Sequence, residues 1–406
     1  MKFRLISKHA DGIGLLYRLY QEGHDVDFWV QEKRAKSTYK GILPQVQTYS
    51  TGLKKSDIVF FDMVGLGFLA DRLKKSGFAV YGGGRLNDKL ELNRLFGIQT
   101  AEEARIKVPE YKVFESGEKA IGFVKGSKKT WCFKPLNNKS PMDTYISEDP
   151  EDMVGWLEYS KPKDKFILQE KVEGTEISTE AWYVNGELVP NSVNSTIETK
   201  RFMDGDKGPN TGCMTSVVKF YKGKPKIYFQ TLAKLEKFLR QKRYSGPLDV
   251  NCIMTKEGPN FLEFTPRFGY NAVYAALPEF GEWGGFLSKL AQGKIPRIKP
   301  SKQYYGAIRI SVPPYPNDVD ASKTAGMSIR GIDSLKDIFL LDAKYDSRFI
   351  TAGVDGVVCE VTAKAENLDD LEKQIYAKVD KLKIPNKMYR SDGIKIAQKR
   401  FNQRSE

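Results

Sequence analysis

The first hundred residues alternate short apolar runs with amphipathic ones, and no other feature constrains the fold as much. FRLIS (3–7), DVDFWV (25–30) and DIVFFDM (57–63) read as strands. GIGLLYRLYQEG (12–23) reads as a helix closed by Gly23, and GFLADRLKKSG (67–77) as a helix capped by Gly77. AVYGGG (79–84) is a strand running into a turn. Strands that alternate with helices are joined by crossovers, so a parallel sheet covered by helices is expected. The turn HADGIG (9–14) opens the first helix but does not match G-x-G-x-x-G, which argues against a dinucleotide site.

From about Lys107 the pattern becomes β-rich, with TWCFKPL, KFILQEKV and GTEISTEAWYVNGELVP as strands and Asn185-Gly186 as a hairpin turn. IYFQTLAKLEKFLRQ (227–241) carries apolar residues every three or four positions and predicts one helix. Beyond Pro300, QYYGAIRISV and GVVCEVTAKA predict strands. NLDDLEKQIYAKVDKL predicts an amphipathic helix with Leu368, Leu371, Ile375, Val379 and Leu382 on one side. The basic run DKLKIPNKMYRSDGIKIAQKR near the C-terminus reads as a solvated face.

Several function classes are disfavoured by composition. The chain opens without a signal-peptide pattern and has no run near 18 apolar residues, so a cytoplasmic protein with no membrane span is expected. Four scattered cysteines without C-x-x-C spacing suit reduced thiols and no zinc. The only histidines are His9 and His24, read as surface or loop residues, which leaves little room for a Ser-His-Asp arrangement. With 65 basic and 51 acidic residues the net charge is +14, which points to anionic partners: nucleotides, sugar phosphates or a nucleic acid.

The run KRFMDGDKGPNTGCM (200–214) contains Gly205, Gly208, Pro209 and Gly212, which break helix and strand alike. It reads either as a solvated loop or as one shaped around a phosphorylated ligand. GPLDVNCIMTKEGPNFLEFTPRFG (246–269) reads as two strands joined by a turn, able to bring Asp249 and Glu263 onto one face. Paired carboxylates facing a triphosphate suit Mg²⁺, and Arg267 stands four residues beyond Glu263. In FILQEKVEGTEIS (166–178) an apolar strand runs into Gln169, Val172, Gly174 and Glu176, as an adenine-binding edge followed by a ribose acid would. Lys134 ends another apolar strand.

Taken in order, these pieces resemble the ATP-grasp ligases, and most closely the phosphoribosylamine-glycine ligase family. That family's loop reads close to D-H-K-R-x-x-D-x-D-x-G-P-N-T-G-G-M-G, against ETKRFMDGDKGPNTGCMT here. YGGGRLNDKLELNRLFGIQTAEEARIKVPEYKVF resembles the entry into its ATP-grasp domain, and AIRISVPPYPNDV…SDGIKIAQKR its small closing domain. The resemblance implies an ATP-grasp fold of α/β and α+β parts. These are a parallel α/β domain over 1–106, an ATP-grasp domain of two lobes over 107–300 (the smaller about 107–175), and an α+β domain over 301–406.

It also implies roles. Arg94 and Lys134 would meet ATP phosphates, Gln169, Glu170 and Val172 the adenine, and Glu176 the ribose. Lys200 and Arg201 would lie near the phosphates, with Asn210, Thr211 and Gly212 where the acceptor is activated and Arg267 on the transferring phosphoryl group. Glu263 and Asp249 would hold Mg²⁺, or Mn²⁺ in its place. Thr265 stands where the family has a metal-binding asparagine, and Asn251 is a candidate substitute.

Other departures are pointed. The glycine-rich phosphate loop expected after Lys134 is NNKSPMDTY, with Lys139 as its basic residue. The family's Gly- and Arg-rich first turn is KHADGIG, and its D-P-E after R-F-G is YNA (270–272). Three readings follow. The first is a carboxylate-amine ligase that activates glycine or a related amino acid for a changed amine, one variant being an amine carried by a nucleotide or nucleic acid. The second is an orthodox phosphoribosylamine-glycine ligase. The third is a non-catalytic nucleotide- or nucleic-acid-binding protein. ATP, an amino-acid carboxylate and an amine are the expected partners, in a monomer or homodimer.

Overall fold

The computed structural model describes residues 1–136, 144–317, 320–332 and 336–403. The NNKSPMD part of the loop after Lys134, Lys139 included, lies outside them. The chain opens with β1 (Lys2–Ser7), α1 (Ile13–Gln21), β2 (Asp25–Val30), β3 (Ile58–Phe61), α2 (Gly67–Lys75) and β4 (Ala79–Tyr81). The sheet is parallel throughout, in the order β2-β1-β3-β4. Its strands are apolar on both faces because helices cover both: Phe3, Leu5 and Phe28 pack with α1, and Ile6, Val59 and Val80 with α2. The exception is Arg4, whose buried guanidinium is matched by Asp27 directly across the ladder, Nη2 donating to Oδ2 at 2.7 Å.

Two helices, α3 (Arg85–Leu92) and α4 (Arg94–Glu103), lead into a small lobe. The lobe contains β5 (Tyr111–Phe114), α5 (Gly117–Lys125), β6 (Trp131–Pro135), β7 (Tyr145–Ile146), α6 (Pro150–Ser160) and β8 (Phe166–Glu170). Its antiparallel sheet runs β5-β8-β6-β7. Alternation decides which residues face the helices. Trp131, Phe133, Phe166 and Leu168 pack against α5 and α6, so Cys132, Lys134, Ile167 and Gln169 occupy the opposite face.

The largest sheet is built from β9 (Thr175–Val184), β10 (Glu187–Leu188), β11 (Asn194–Met203) and β12 (Lys207–Phe220). After α7 (Lys226–Gln230) and α8 (Leu232–Gln241) come β13 (Gly246–Thr255) and β14 (Gly258–Thr265). Next are α9 (Tyr270–Ala276), α10 (Trp283–Ala291), β15 (Tyr304–Ser311), β16 (Ile338–Leu340), β17 (Ala343–Asp346), β18 (Arg348–Thr351) and β19 (Val357–Ala365). The chain closes with α11 (Leu368–Lys381) and α12 (Gly393–Asn402). The order is β14-β13-β9-β11-β12-β15-β19-β16, with β10 against β9. One ladder therefore runs across position 300, because β15 pairs antiparallel with β12.

Three sequence readings change. The helix expected over 227–241 is two helices, since Thr231 takes φ −128° and ψ −93° and ends the first. The run 200–214 is not free of regular structure: it is the end of a β-hairpin, with the breakers Gly205, Asp206 and Gly208 at positive φ around its tip. The C-terminal basic run is only partly solvated, for Leu382, Ile394, Ala397 and the whole of Arg390 are buried.

Candidate functional site

The cleft between the small lobe and the large sheet encloses a cavity of about 800 Å³, a size typical of ligand pockets. Every residue to which the resemblance gives a role in the site lines it except Arg201. The reason is the two-residue period of strands. In β13 and β14 Asp249 pairs with Thr265 and Asn251 with Glu263; across β9, Glu180 faces Asp249 and Ser178 faces Asn251. Thr196 of β11 faces Ser178, and two and four residues further stand Glu198 and Lys200. One face of the sheet thus presents Glu176, Glu180, Glu198, Lys200, Asp249 and Glu263 to the cavity. The next residue along β11, Arg201, is sent elsewhere, and its Nη1 donates to the Gly208 carbonyl at 2.8 Å within the hairpin.

Lys200 is the hub. Its Nζ lies 2.7 Å from Glu176 Oε1, 3.6 Å from Glu198 Oε2 and 4.0 Å from Glu263 Oε1. Burial alone would lower its pKa, but these three carboxylates hold it well above the ordinary lysine value. For Glu263 burial would raise the pKa, yet Lys200, Arg94, Lys134 and Arg267 together bring it below normal. Arg94 reaches Glu263 Oε2 at 3.8 Å, and its Nε donates to the Pro135 carbonyl at 3.0 Å. Arg267 donates through Nε to Glu91 Oε1 at 3.0 Å, so the arginine comes to the cavity already oriented. The Thr211 hydroxyl donates to the Lys200 carbonyl at 2.7 Å, fixing the two sides of the hairpin against one another.

Across the cleft, Lys134 Nζ donates to Gln169 Oε1 at 2.7 Å. An ammonium has no acceptor, so the amide oxygen must face it, and Gln169 Nε2 is left buried with no partner. With that oxygen bonded to Lys134, the group Gln169 offers the cavity is a donor. Beyond it, Glu170 receives Lys129 Nζ at 3.0 Å on the outer side of the strand end, and Val172 continues the wall.

Lys134 is buried rather than solvated, and burial together with the Arg94 charge lowers its pKa to about 8. Its folded pKa lies below the unfolded value, so the folded state binds fewer protons between about 8 and 10.4 and stability rises with pH across that window. Nucleotide binding moves the other way. As pH rises through about 8 the empty site loses a cation, so MgADP affinity is expected to fall toward about tenfold per pH unit. Calorimetric titrations between pH 6.5 and 9.5 should show that fall, with a flat profile in Lys134→Arg.

The carboxyl groups missed in the sequence are Glu91, Glu180 and Glu198. Glu198 and Glu180 fall on the same alternation as Lys200 and Glu176, which was the available signal. Burial raises Glu198, with Glu176 and Glu263 adding to the effect, and burial with Glu180 and Glu198 raises Asp249 well above the ordinary aspartate value. Asp249 Oδ1 and Asn251 Oδ1 are both buried without a hydrogen-bond partner. Asn251 Nδ2 donates to Thr265 Oγ1 at 3.1 Å, which orients the amide so that its oxygen is the free atom. Unpartnered oxygens beside Glu263 suit a hard divalent cation, so the donor set fits Mg²⁺.

The sequence profile described as phosphoribosylglycinamide synthetase, ATP-grasp (A) domain, matches residues 93–272. These residues run from the start of α4 through all but four residues of α9 and supply most of the cavity wall. Residues 93–272 thus match an ATP-grasp domain, and the chain has the ATP-grasp fold. It is 25% identical over 344 residues to the phosphoribosylamine–glycine ligase of Halalkalibacterium halodurans, covering 80% of this chain and 78% of that one. Over 353 residues it is 25% identical to the enzyme of the same name from Caldanaerobacter subterraneus, covering 80% of each. The fold matches the phosphoribosylamine–glycine ligase structure from Thermotoga maritima with TM-score 0.76 and 18% identity, over 97% of this chain and 100% of that one. It matches biotin carboxylase from Campylobacter jejuni with TM-score 0.67 and 12% identity, over 95% and 92%. The chain thus has the ATP-grasp fold expected from its sequence. Among the described residues no helix is long and apolar enough to cross a membrane.

Proposed function

We propose that this ATP-grasp ligase activates glycine or a related amino acid as an acyl phosphate and passes it to an amine, releasing ADP and phosphate. The observation that carries the reading is the placement of Lys134, Lys200, Arg94 and Arg267 around Glu263 in one cleft, with the unpartnered oxygens of Asp249 and Asn251 beside them. Lys134 and Lys200, from opposite walls, bind the anionic nucleotide and hold its phosphates in place. Gln169 Nε2 offers adenine a donor. Asp249, Asn251 and Glu263 are the residues that would hold Mg²⁺, which when bound neutralises phosphate charge as the phosphoryl group moves. The lobes exclude water from the reacting carboxylate, which protects an acyl phosphate from hydrolysis.

The acceptor is where this chain parts from the orthodox reaction. The turn after β1 faces a buried acid: Asp62 Oδ2 accepts from the Gly12 amide at 2.6 Å and from Ser7 Oγ at 2.8 Å. Burial and the neighbouring Asp11 raise Asp62 to about 7, and the Gly12 amide is already taken by this carboxyl where a substrate phosphate would need free amides and cations. That supports an amine other than phosphoribosylamine.

A screen of amino acids crossed with amines, phosphoribosylamine and amine-bearing DNA and RNA included, tests the reading by amide mass together with nucleotide products. ADP and phosphate formed only with both substrates present are expected. AMP and pyrophosphate, or no ATP consumption with any pair, would overturn it.

A further inference from the structure

The hairpin that carries Lys200 and Asn210–Gly212 is poorly held by its own ladder. Regular pairing ends at Thr199 and Thr215, and the register shifts between Thr199 and Arg201 and again between Arg201 and Met203. Past that point the tip, Asp204-Gly205-Asp206, is bonded to a segment almost two hundred residues away. Arg390 is completely buried. Its Nη1 donates to Asp206 Oδ1 at 2.8 Å and to the Arg201 carbonyl at 3.1 Å. Through Nε and Nη2 it forks onto Asp392 at 2.8 Å each, and Asp392 Oδ2 in turn accepts from the Gly205 amide at 2.7 Å. The Ser391 amide donates to Asp204 Oδ1 at 2.9 Å, and Arg400 Nη1 to the Glu198 carbonyl at 2.8 Å.

This segment is itself anchored. Met388 exchanges both backbone hydrogen bonds with Ser311 of β15, and Gly393 lies so close to Thr215 that a Cβ there would clash with its Oγ1. A buried guanidinium shared between two carboxylates and a main-chain carbonyl is worth most as a geometric constraint, because its planar fork allows one arrangement. The arrangement it allows is the one that sets Lys200 among Glu176, Glu198 and Glu263.

We infer that Arg390 is a positioning residue for the ligase reaction, acting through the hairpin tip to hold Lys200 and Asn210–Gly212 at the cavity. The inference rests on the ligase reading for its catalytic consequence and on the hydrogen-bond geometry for its mechanical one, and the two are tested separately.

Hydrogen exchange of residues 200–212 is compared in the wild-type chain, Arg390→Ala and Arg390→Lys, with and without MgADP. In Arg390→Ala exchange in this hairpin is expected to rise by about tenfold or more while β13 and β14 keep their protection. Turnover should fall by about a hundredfold, as expected when a reacting group is displaced by an ångström or so, with the loss mainly in kcat. Arg390→Lys should recover part of both effects, and added guanidinium should recover more in Arg390→Ala than in Arg390→Lys.

Unchanged exchange at 200–212 would overturn the inference, as would a uniform loss of protection across the sheet with kcat of the folded enzyme intact. If Arg390→Ala does not fold, Asp206→Asn tests the same link from the other side and should loosen the hairpin in the same way. A wild-type protein without ATP turnover would reject the ligase reading, and the exchange comparison would still decide the clamp.

Discussion

Glu263→Gln is expected to lower turnover by at least about a hundredfold while leaving the fold in place, an effect comparable to losing one electrostatic stabiliser. The substitution keeps the size and planarity of the side chain on β14, and 38% of the side chain is open to the cavity, so packing changes little. What it removes is charge. Glu263 is the anion whose pKa Lys200, Arg94, Lys134 and Arg267 all lower. A neutral amide there removes the negative charge that offsets those cations and takes away the one carboxylate of the proposed Mg²⁺-binding set whose pKa lies below normal. Asp249 cannot substitute, since burial and its acidic neighbours hold its pKa high. Steady-state kinetics with ADP detection, paired with thermal unfolding, checks the result. A variant that turns over normally would remove Glu263 from the mechanism.

The second large effect is expected at Lys200→Met, with a fall in kcat/KM for ATP of about a thousandfold. Losing one oriented donor to the phosphates accounts for about a hundredfold, and repulsion among the acids left behind adds to it. In the wild type Lys200 separates Glu176, Glu198 and Glu263 within 4.0 Å of its Nζ. Without it Glu198, already raised by burial and by the other two, should rise further and hold its proton to higher pH. Residual activity in Lys200→Met should therefore increase at low pH relative to wild type, as protonation relieves the repulsion. A pH–rate profile of the variant that matches wild type in shape would count against this account. Arg201→Met is the contrasting case, for its guanidinium serves the hairpin and lies outside the cavity wall.

Much of the fold was written locally. The parallel sheet followed from strands and helices alternating in the first hundred residues, and the β9–β10 hairpin from Asn185-Gly186, both of which take positive φ. The break at Thr231 was not legible, because both halves of 227–241 have helical periodicity and only packing decides where the axis turns. At the site, the motif run 200–214 and the 246–269 hairpin named Lys200, Asp249, Glu263 and Arg267 among the cavity-lining residues. Alternation by itself would have added Glu198 and Glu180 and separated Arg201 from Lys200.

The sequence by itself determined which strands form and which residues share a face, since both depend on neighbours one to four positions apart. It also carried the loop motif that resembles the one in ATP-grasp ligases. The tertiary structure alone decided the charge state of Lys134, the use of the Gln169 carbonyl and the burial of Arg390. Each of these depends on partners brought together by folding: Lys134 and Gln169 across a ladder 35 positions apart, Arg390 and Asp206 across 184. Pairing, desolvation and hydrogen-bond direction are properties of such encounters, and no local pattern in the chain encodes them.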